Sequence, residues 1–115
     1  MNFGQILRTL REERGIYQKE LASYLNVSIS TISNYENGVH FPDFELLSLI
    51  ADFFGVTADY LIGRTKFPYD ISVLDNHLTE DYSVTDLVNT VLTFSSREST
   101  ALKDYVEFLQ LRQKQ

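Results

Sequence analysis

Residues 18–42 read QKELASYLNVSISTISNYENGVHFP, the segment whose pattern is the most informative of the chain. Its apolar residues predict two short helices, over 18–25 and roughly over 29–37. Asn26 falls in the corner between them, where a left-handed backbone is expected and asparagine tolerates it better than most residues. Ser28 is then placed to cap the second of these helices. The stretch therefore predicts a helix, a tight corner and a second helix, which together form a helix-turn-helix.

Apolar spacing and stop signals on either side predict three more helices, so that residues 1–65 form a compact all-α domain of five helices. Glycine supplies most of the stops, because it adopts the left-handed conformation that ends a helix. The expected boundaries are Phe3 and Gly15 for the first helix, Gly38 for the end of the third, Pro42 to Asp43 and Gly55 for the fourth, and Thr57 and Gly63 for the fifth.

Residues 66–82 read as a linker, because the segment contains a proline and a polar run, DNHLTED. Beyond it, Ser83 and Ser95 are each followed three residues later by an acidic residue, which is the pattern of a helix N-terminus. We therefore expect a helical hairpin over 83–115 as a dimerisation module. The predicted fold is all-α, with a five-helix helix-turn-helix domain followed by this C-terminal helical hairpin.

Composition indicates a folded protein, since 43% of the 115 residues are apolar and 13% are aromatic. No apolar run approaches the roughly 18 residues that a membrane span needs, so we expect no membrane association. The chain has no cysteine, which excludes disulfides, thiolate metal sites and thiol nucleophiles. A cytoplasmic location fits this composition.

The net charge of -6 is unusual for a chain that contains a helix-turn-helix, because many DNA-binding domains are basic. Residues 1–65 and residues 66–115 each carry five basic and eight acidic side chains, so neither part is basic. From Ser28 to Val39, however, the only charged residue is Glu36. The second helix of a helix-turn-helix is its recognition helix, which enters the major groove of DNA. Here that helix, predicted over 29–37, is nearly neutral, and DNA binding would depend on neutral polar contacts and on dimerisation.

The string LASYLNVSISTISNYENG at 21–38, followed by Pro42, resembles the helix-turn-helix of the Cro and phage-repressor type, the XRE family. The resemblance covers residues 2–65. It implies a transcriptional regulator, most often a repressor, that inserts its third helix into the major groove of double-stranded DNA. It also implies a homodimer on a two-fold symmetric operator, and a helix fits the groove of about 12 Å that such binding requires.

The resemblance also implies roles for individual residues. The positions that usually read bases are occupied by Ile29, Ser30, Ser33 and Asn34, whereas Gln18, Ser28, Thr31 and Asn37 are expected near phosphates. Asn34 ranks first, because a carboxamide can make two hydrogen bonds to adenine. Ile29 either meets a thymine methyl group or packs beneath the second helix. Gln18 either contacts the DNA backbone and anchors the recognition helix or is an ordinary surface residue.

Arg11 and Glu36 match a pair that bridges the first helix to the end of the third in this family. The alternative is two unrelated solvated side chains. Pairing is favoured, because an unpaired carboxylate facing phosphate would be repelled. Tyr17 departs from the usual Thr or Ser, so the cap of the second helix is in doubt. Val39 and His40 replace a frequent basic residue and remove one phosphate contact.

No constellation of catalytic residues is present, so we expect neither an enzyme nor a cofactor. His40 and His77 lie far apart in predicted loops and lack metal-ligand spacing, and we expect no metal site. Asp75, Glu80 and Asp81 near His77 read as a solvated loop.

The last helix carries more apolar surface than one short hairpin can bury, and its predicted dimerisation residues are Leu102, Tyr105, Val106 and Leu109. The alternative is that it folds back on 83–94 or on the first domain. Combining both, we favour a dimer built from four helices.

The leading functional hypothesis is thus a dimeric, sequence-specific transcriptional repressor. The second is a protein-interaction module, such as an antitoxin or the partner of a protein antirepressor or effector.

Overall fold

The computed structural model describes all 115 residues and divides the chain into two units, Met1–Asp70 and Ile71–Gln115. The first unit contains five α-helices. Their bounds are α1, Phe3–Glu13; α2, Gln18–Leu25; α3, Ile29–Glu36; α4, Phe44–Phe54; and α5, Ala58–Leu61. The five predicted helices are confirmed. No helix of the structure combines the length and the apolar character needed to cross a lipid bilayer.

Side-chain caps start four of these helices. Asn2, Ser28, Asp43 and Thr57 each accept a hydrogen bond from the backbone N–H three residues later, at 2.9 to 3.1 Å. These bonds satisfy N–H groups that have no partner within the helix. Helix α2 is the exception, because Tyr17 stands at its cap position; there the Glu20 carboxylate accepts a hydrogen bond from the backbone N–H of Tyr17 at 3.1 Å.

One hydrophobic core joins the five helices of the first unit, and each helix contributes one side chain that is completely shielded from solvent. Shape-matched aliphatic packing of this kind is worth about 1.5–3 kcal/mol per side chain relative to exposure. Phe3, Ala22, Tyr35 and Phe54 pack around the same centre. The five fully shielded residues are Leu7, Leu21, Ile32, Ile50 and Leu61.

The second unit begins with a short 3-10 helix, Ile71–Asp75, followed by two strands and two helices. Strands β1, His77–Thr79, and β2, Tyr82–Ser83, pair antiparallel, and β2 leads directly into α6, Val84–Val91. Helix α7, Ser96–Gln113, is the longest of the chain. The predicted caps Ser83 and Ser95 both stand at helix N-termini, each accepting from the backbone N–H of the acidic residue three positions on.

The segment predicted as a linker, 66–82, contains more regular structure than an irregular connection. Its two strands are three and two residues long, too short for the alternation of polar and apolar residues that identifies a strand in sequence. The hairpin turns at Glu80 and Asp81, and the Thr79 hydroxyl donates a hydrogen bond to the Asp81 carboxylate at 3.2 Å. Apart from this small sheet the chain is helical, in agreement with the predicted fold class.

No side chain of the second unit is fully buried. Helix α6 packs on the 3-10 helix and on β2, where the Thr85 hydroxyl donates to the carbonyl of Leu74 at 2.7 Å. Helix α7 is exposed along its length, with only Leu102 half-buried. The first unit therefore has its own core, whereas the second does not.

Candidate nucleic-acid interface

The corner between α2 and α3 is set by a single backbone conformation. Asn26 has φ 58° and ψ 45°, the left-handed region, and it is the only residue other than glycine with a positive φ. The backbone N–H of Val27 then donates to the carbonyl of Ala22 at 3.0 Å, which closes the end of α2. Two residues later Ser28 starts α3. The short corner fixes α3 against α2 and leaves the outer side of α3 facing solvent.

Hydroxyl groups form a chain at the N-terminus of α3. The Ser28 hydroxyl lies 2.8 Å from the Thr31 hydroxyl and 3.0 Å from the Ser30 hydroxyl, and it also accepts from the backbone N–H of Thr31. A hydroxyl both donates and accepts, so each of these groups can keep one bond within the chain and offer another to a ligand. This cluster is neutral and stands beside the free N–H groups of the helix start.

Asn34 differs from its polar neighbours on α3. The side-chain amide of Asn37 donates to the Ser33 hydroxyl at 3.3 Å, and Ser30 is held by the cap, but the Asn34 carboxamide has no hydrogen bond within the protein. It is half-buried and lies on the side of the helix away from the buried Ile32 and Tyr35. Its two donors and its acceptor are all available to a ligand.

Ile29 lies outside the hydrophobic core, and 52% of its surface is exposed. Of the two sequence-based alternatives, packing beneath α2 is therefore not what the structure contains. An exposed aliphatic side chain at the start of α3 presents methyl groups to whatever approaches the helix.

The Glu36 carboxylate accepts hydrogen bonds from side chains of both preceding helices and so connects α3 to them. Its side chain is fully shielded from solvent, and Arg11 of α1 donates to both of its oxygens, at 2.7 and 3.1 Å. Gln18 of α2 donates to it at 3.1 Å, and Arg8 of α1 at 3.3 Å. One buried carboxylate thus holds three side chains from two helices beside the end of α3.

These contacts decide the protonation state of Glu36. Burial by itself would raise the pKa of this carboxyl group, but the hydrogen bonds from Arg11, Gln18 and Arg8, together with the charge of Arg11, lower it below the ordinary value. The same ion pair raises the pKa of Arg11. The only acidic residue of the α3 segment is therefore charged, neutralised and turned away from solvent.

Gln18 is the first residue of α2, and its amide group binds Glu36 while keeping one N–H group free. Because a carboxylate only accepts, the amide nitrogen of Gln18 must face Glu36, which leaves a second N–H on that nitrogen. Around it, Arg11, Tyr17 and Lys19 surround an open hollow at the start of α2. Two of these side chains are cationic, and the Arg11 charge is paired with Glu36.

Two residues that position α3 were missed by the sequence analysis. Arg8 is one turn before Arg11 on α1, and that i, i+3 spacing was the available signal. Gly4 is the other: a Cβ atom on it would lie 2.6 Å from the carbonyl oxygens of Tyr35 and Glu36, so α1 and the end of α3 touch backbone to backbone. No sequence pattern separates this glycine from an ordinary helical one.

The residues considered for metal binding are not brought together. The structure contains no group of three or more His, Asp or Glu side chains in a ligating arrangement. His40 is exposed after α3, and His77 is exposed in β1.

The predicted dimerisation residues lie on α7 and are largely open to solvent. Tyr105 is 58% exposed, Val106 44% and Leu109 40%, whereas Leu102 is half-buried.

Known proteins similar to this chain match it mainly within the first unit. Residues 7–61 match the helix-turn-helix family model. The transcriptional regulator ImmR of Bacillus subtilis is 35% identical over 66 residues, covering 57% of this chain and 52% of ImmR. The phage CTXphi transcriptional repressor RstR of Vibrio cholerae is 32% identical over 68 residues, covering 59% of this chain and 61% of RstR. The matched region thus spans about half to three fifths of these relatives.

Two solved structures share the fold over nearly the whole chain. A transcriptional regulator from Listeria innocua superposes with a TM-score of 0.54 at 24% identity, covering 96% of this chain and 94% of that chain. The SinR protein/SinI protein complex gives a TM-score of 0.50 at 20% identity, covering 98% of this chain and 99% of that chain. At these identities the likeness concerns the fold alone.

Proposed function

The chain carries a helix-turn-helix domain of the Cro and phage-repressor (XRE) type, and on this basis we propose that it is a sequence-specific DNA-binding transcriptional repressor. In this proposal α3 enters the major groove, and two copies bind the halves of a two-fold symmetric operator. The relatives ImmR and RstR support the regulatory role, since they are named as a transcriptional regulator and a repressor.

The observation that carries the proposal is the free carboxamide of Asn34 on the outer side of a nearly neutral helix. Its neighbours on α3 already share hydrogen bonds with one another, whereas Asn34 has none to give up. A carboxamide can donate to N7 and accept from N6 of adenine only if its own groups are unengaged. The burial of Glu36 removes the one charge on α3 that would repel DNA.

The other α3 residues take complementary roles. Ser30 and Ser33 read bases with less discrimination, because a hydroxyl meets donors and acceptors alike. Ile29 contacts a thymine methyl group. The DNA phosphates on either side of these bases are contacted by Gln18, Ser28, Thr31 and Asn37.

Dimerisation compensates for the weak attraction between an acidic protein and DNA. A chain with net charge -6 gains little from releasing counterions, so one copy binds weakly at physiological salt. Linking two half-site readers raises the effective affinity without adding positive charge. The linking surface is α7, through Leu102, Tyr105, Val106 and Leu109.

The experiment is a selection of bound sequences from random double-stranded oligonucleotides with the full-length protein, followed by gel shifts over a range of salt concentrations. We expect an inverted repeat whose half-sites are centred about 34 Å apart, one turn of DNA. Recovery of no preferred sequence, with no fragment retained at low salt, would contradict the proposal.

The exposed apolar face of α7 also favours a second candidate function, that of a protein-interaction module that does not depend on DNA. Here the helix-turn-helix would be a scaffold and a protein antirepressor or effector the main partner. The same gel shifts separate the two functions, because the module predicts a copurifying protein and no retained DNA.

A further inference from the structure

Helix α7 carries a narrow stripe that begins and ends in opposite charges. Starting from Glu98 at its first turn, the stripe continues through Leu102, Tyr105 and Leu109 and ends at Arg112 in the last turn. The steps between these residues are four, three, four and three, the spacing of a coiled-coil seam. The order of residue types, charged, Leu, Tyr, Leu, charged, is the same from either end apart from the sign of the terminal charges, and Tyr105 lies seven residues from each charge.

Beyond the half-buried Leu102, the apolar residues of the stripe are exposed in the structure. Tyr105 and Leu109 are exposed by 58% and 40%, and beside them 52% of Phe108 faces solvent, with its ring stacked on Tyr105 at a centroid distance of 6.2 Å. Most of the stability of a helix in a protein comes from the packing of its apolar face. Neighbouring apolar side chains left open on one face of a helix indicate a partner.

The charges at the two ends select the partner and its direction. Arg112 has no ion pair, and the one ion pair on this helix, between Lys103 and Glu107, lies on the opposite face. Glu98 uses Oε1 to accept from the backbone N–H and the hydroxyl of Ser95, which leaves Oε2 for another donor. A second, antiparallel copy brings Arg112 to Glu98 twice, whereas a parallel copy sets like charges together at both ends.

We propose that a second copy of this chain packs antiparallel against α7, with the two Tyr105 residues beside the two-fold axis. The arrangement deepens the proposed function and rests on its requirement for a dimer. Glu98 and Arg112 are fourteen residues apart, about 21 Å along a helix, so one pair closes each end of the contact. In the middle, Leu102 of one copy lies beside Leu109 of its partner.

Disulfide trapping tests the direction, and the natural chain helps because it contains no cysteine. Full-length Leu102→Cys and Leu109→Cys, carrying different tags, are mixed, allowed to exchange subunits and oxidised. The antiparallel contact places these two positions side by side, within the roughly 7 Å between Cα atoms that a disulfide tolerates. It also separates two copies of Leu109→Cys by about 12 Å along the axis, from the helical rise.

We therefore expect a mixed disulfide between the two variants and almost none from Leu109→Cys alone. The reverse pattern, in which Leu109→Cys links to itself and the mixture does not, would mean a parallel contact and overturn the proposal. So would the absence of disulfides from every arm together with a monomeric mass by light scattering.

Charge reversal provides a second measurement on the intact chain. Arg112→Glu sets two carboxylates together at each end of the contact, and we expect the dimer dissociation constant to rise about tenfold at low salt. Adding Glu98→Gln removes that repulsion and restores dimerisation, because glutamine retains the capping role at this position. Lys103→Glu, which makes the same change in charge on the opposite face, is the matched control and leaves the dissociation constant within about twofold.

Failure of this contact and failure of the proposed function are distinguishable. If selected DNA is bound but the disulfide pattern is not antiparallel, the orientation is wrong and the regulator stands. If the pattern appears but no sequence is selected, the contact stands and the DNA-binding proposal fails. If Glu98→Gln does not rescue Arg112→Glu, the terminal charge pairs are excluded.

Discussion

Some polar side chains at α3 are hydrogen-bonded within the protein, whereas others keep donors and acceptors free for a ligand. Ser28 caps the helix and shares its hydroxyl with Ser30 and Thr31, whereas Asn34 stays unengaged. Hydrogen bonds within the protein must be broken or shared before they can serve a ligand, so an unengaged carboxamide is the least costly reader on this surface.

Asn34→Ala is expected to weaken binding of the full-length protein to its selected operator by about 1–3 kcal/mol, with little effect on random DNA. The reason is that alanine keeps the helix but removes both hydrogen bonds to adenine. Fluorescence anisotropy measures the dissociation constants for the operator and for random DNA, and their ratio gives the specificity. Asn37→Ala, at a proposed phosphate contact, should weaken both complexes alike, and equal losses for Asn34→Ala would argue against base reading by that residue.

The buried Glu36 carboxylate makes stability depend on pH. Because its pKa is lower in the folded protein than the ordinary 4.5, the unfolded chain binds the proton first as the pH falls. The stabilisation is therefore complete above about pH 4.5 and is lost as the pH falls from there through the lowered pKa of the folded state.

Glu36→Gln should lower the free energy of unfolding by about 3 kcal/mol at neutral pH, because it leaves the largely buried Arg11 without its counter-charge. Its stability should also vary less with pH below 4.5 than that of the natural chain. Urea denaturation at several pH values measures both effects. Glu13→Gln, at an exposed position of α1, is the matched control, and an equal change in that variant would contradict a specific role for Glu36.

Among the elements, α1 and α3 come close enough for their backbones to touch. The approach occurs at Gly4, under the carbonyl groups of Tyr35 and Glu36. The buried ion pair between Arg11 and Glu36 joins the same two helices. The position of the recognition helix is thus fixed from behind, by α1, and not only by the corner at Asn26.

Gly4→Ala should destabilise the first unit by about 1–3 kcal/mol, since the added methyl group must push α1 away from α3. Operator affinity should fall as well, because the end of α3 is displaced when α1 and α3 are pushed apart. Thermal unfolding followed by circular dichroism measures the first effect, and anisotropy the second. Gly15→Ala, where a Cβ meets nothing within 4 Å but φ is 73°, should lower stability without changing affinity. Unchanged stability of Gly4→Ala would show that the helices separate without cost.

In the whole molecule, burial is confined to one of the two units. Every fully buried side chain lies between Phe3 and Leu61, and none lies beyond Ile71. A set of residues without a core depends on a partner for its stability. The first unit is therefore expected to fold alone, and the second to be ordered by association.

Residues 1–70 alone should fold cooperatively, remain monomeric and bind a single half-site with the affinity of the full chain. They should bind the complete operator much more weakly, by about 10²-fold or more, because the gain from linking two readers is lost. Analytical ultracentrifugation and anisotropy on both DNAs measure these properties. Equal affinity of the fragment and the full chain for the complete operator would mean that α7 does not link the readers.

Local signals in the sequence determined most of the helical architecture. Caps such as Ser28, the left-handed Asn26 and the positive φ of Gly38 act within a few residues, so the pattern of side chains is sufficient to place them. The apolar spacing that puts Ile32 and Tyr35 in the core is local for the same reason.

Only the tertiary structure decided which distant groups meet. The spacing of Arg8 and Arg11 places them on one face of α1 but does not identify Glu36, 28 positions from Arg8, as the partner. Gly4 meets the end of α3 across more than 30 positions, and no sequence pattern marks that contact. The short hairpin of β1 and β2 also depends on pairing rather than on either strand's own pattern. The sequence could place charges and apolar residues on each helix, but which are buried, paired or left open depends on how the helices pack in three dimensions, and local propensity does not encode that packing.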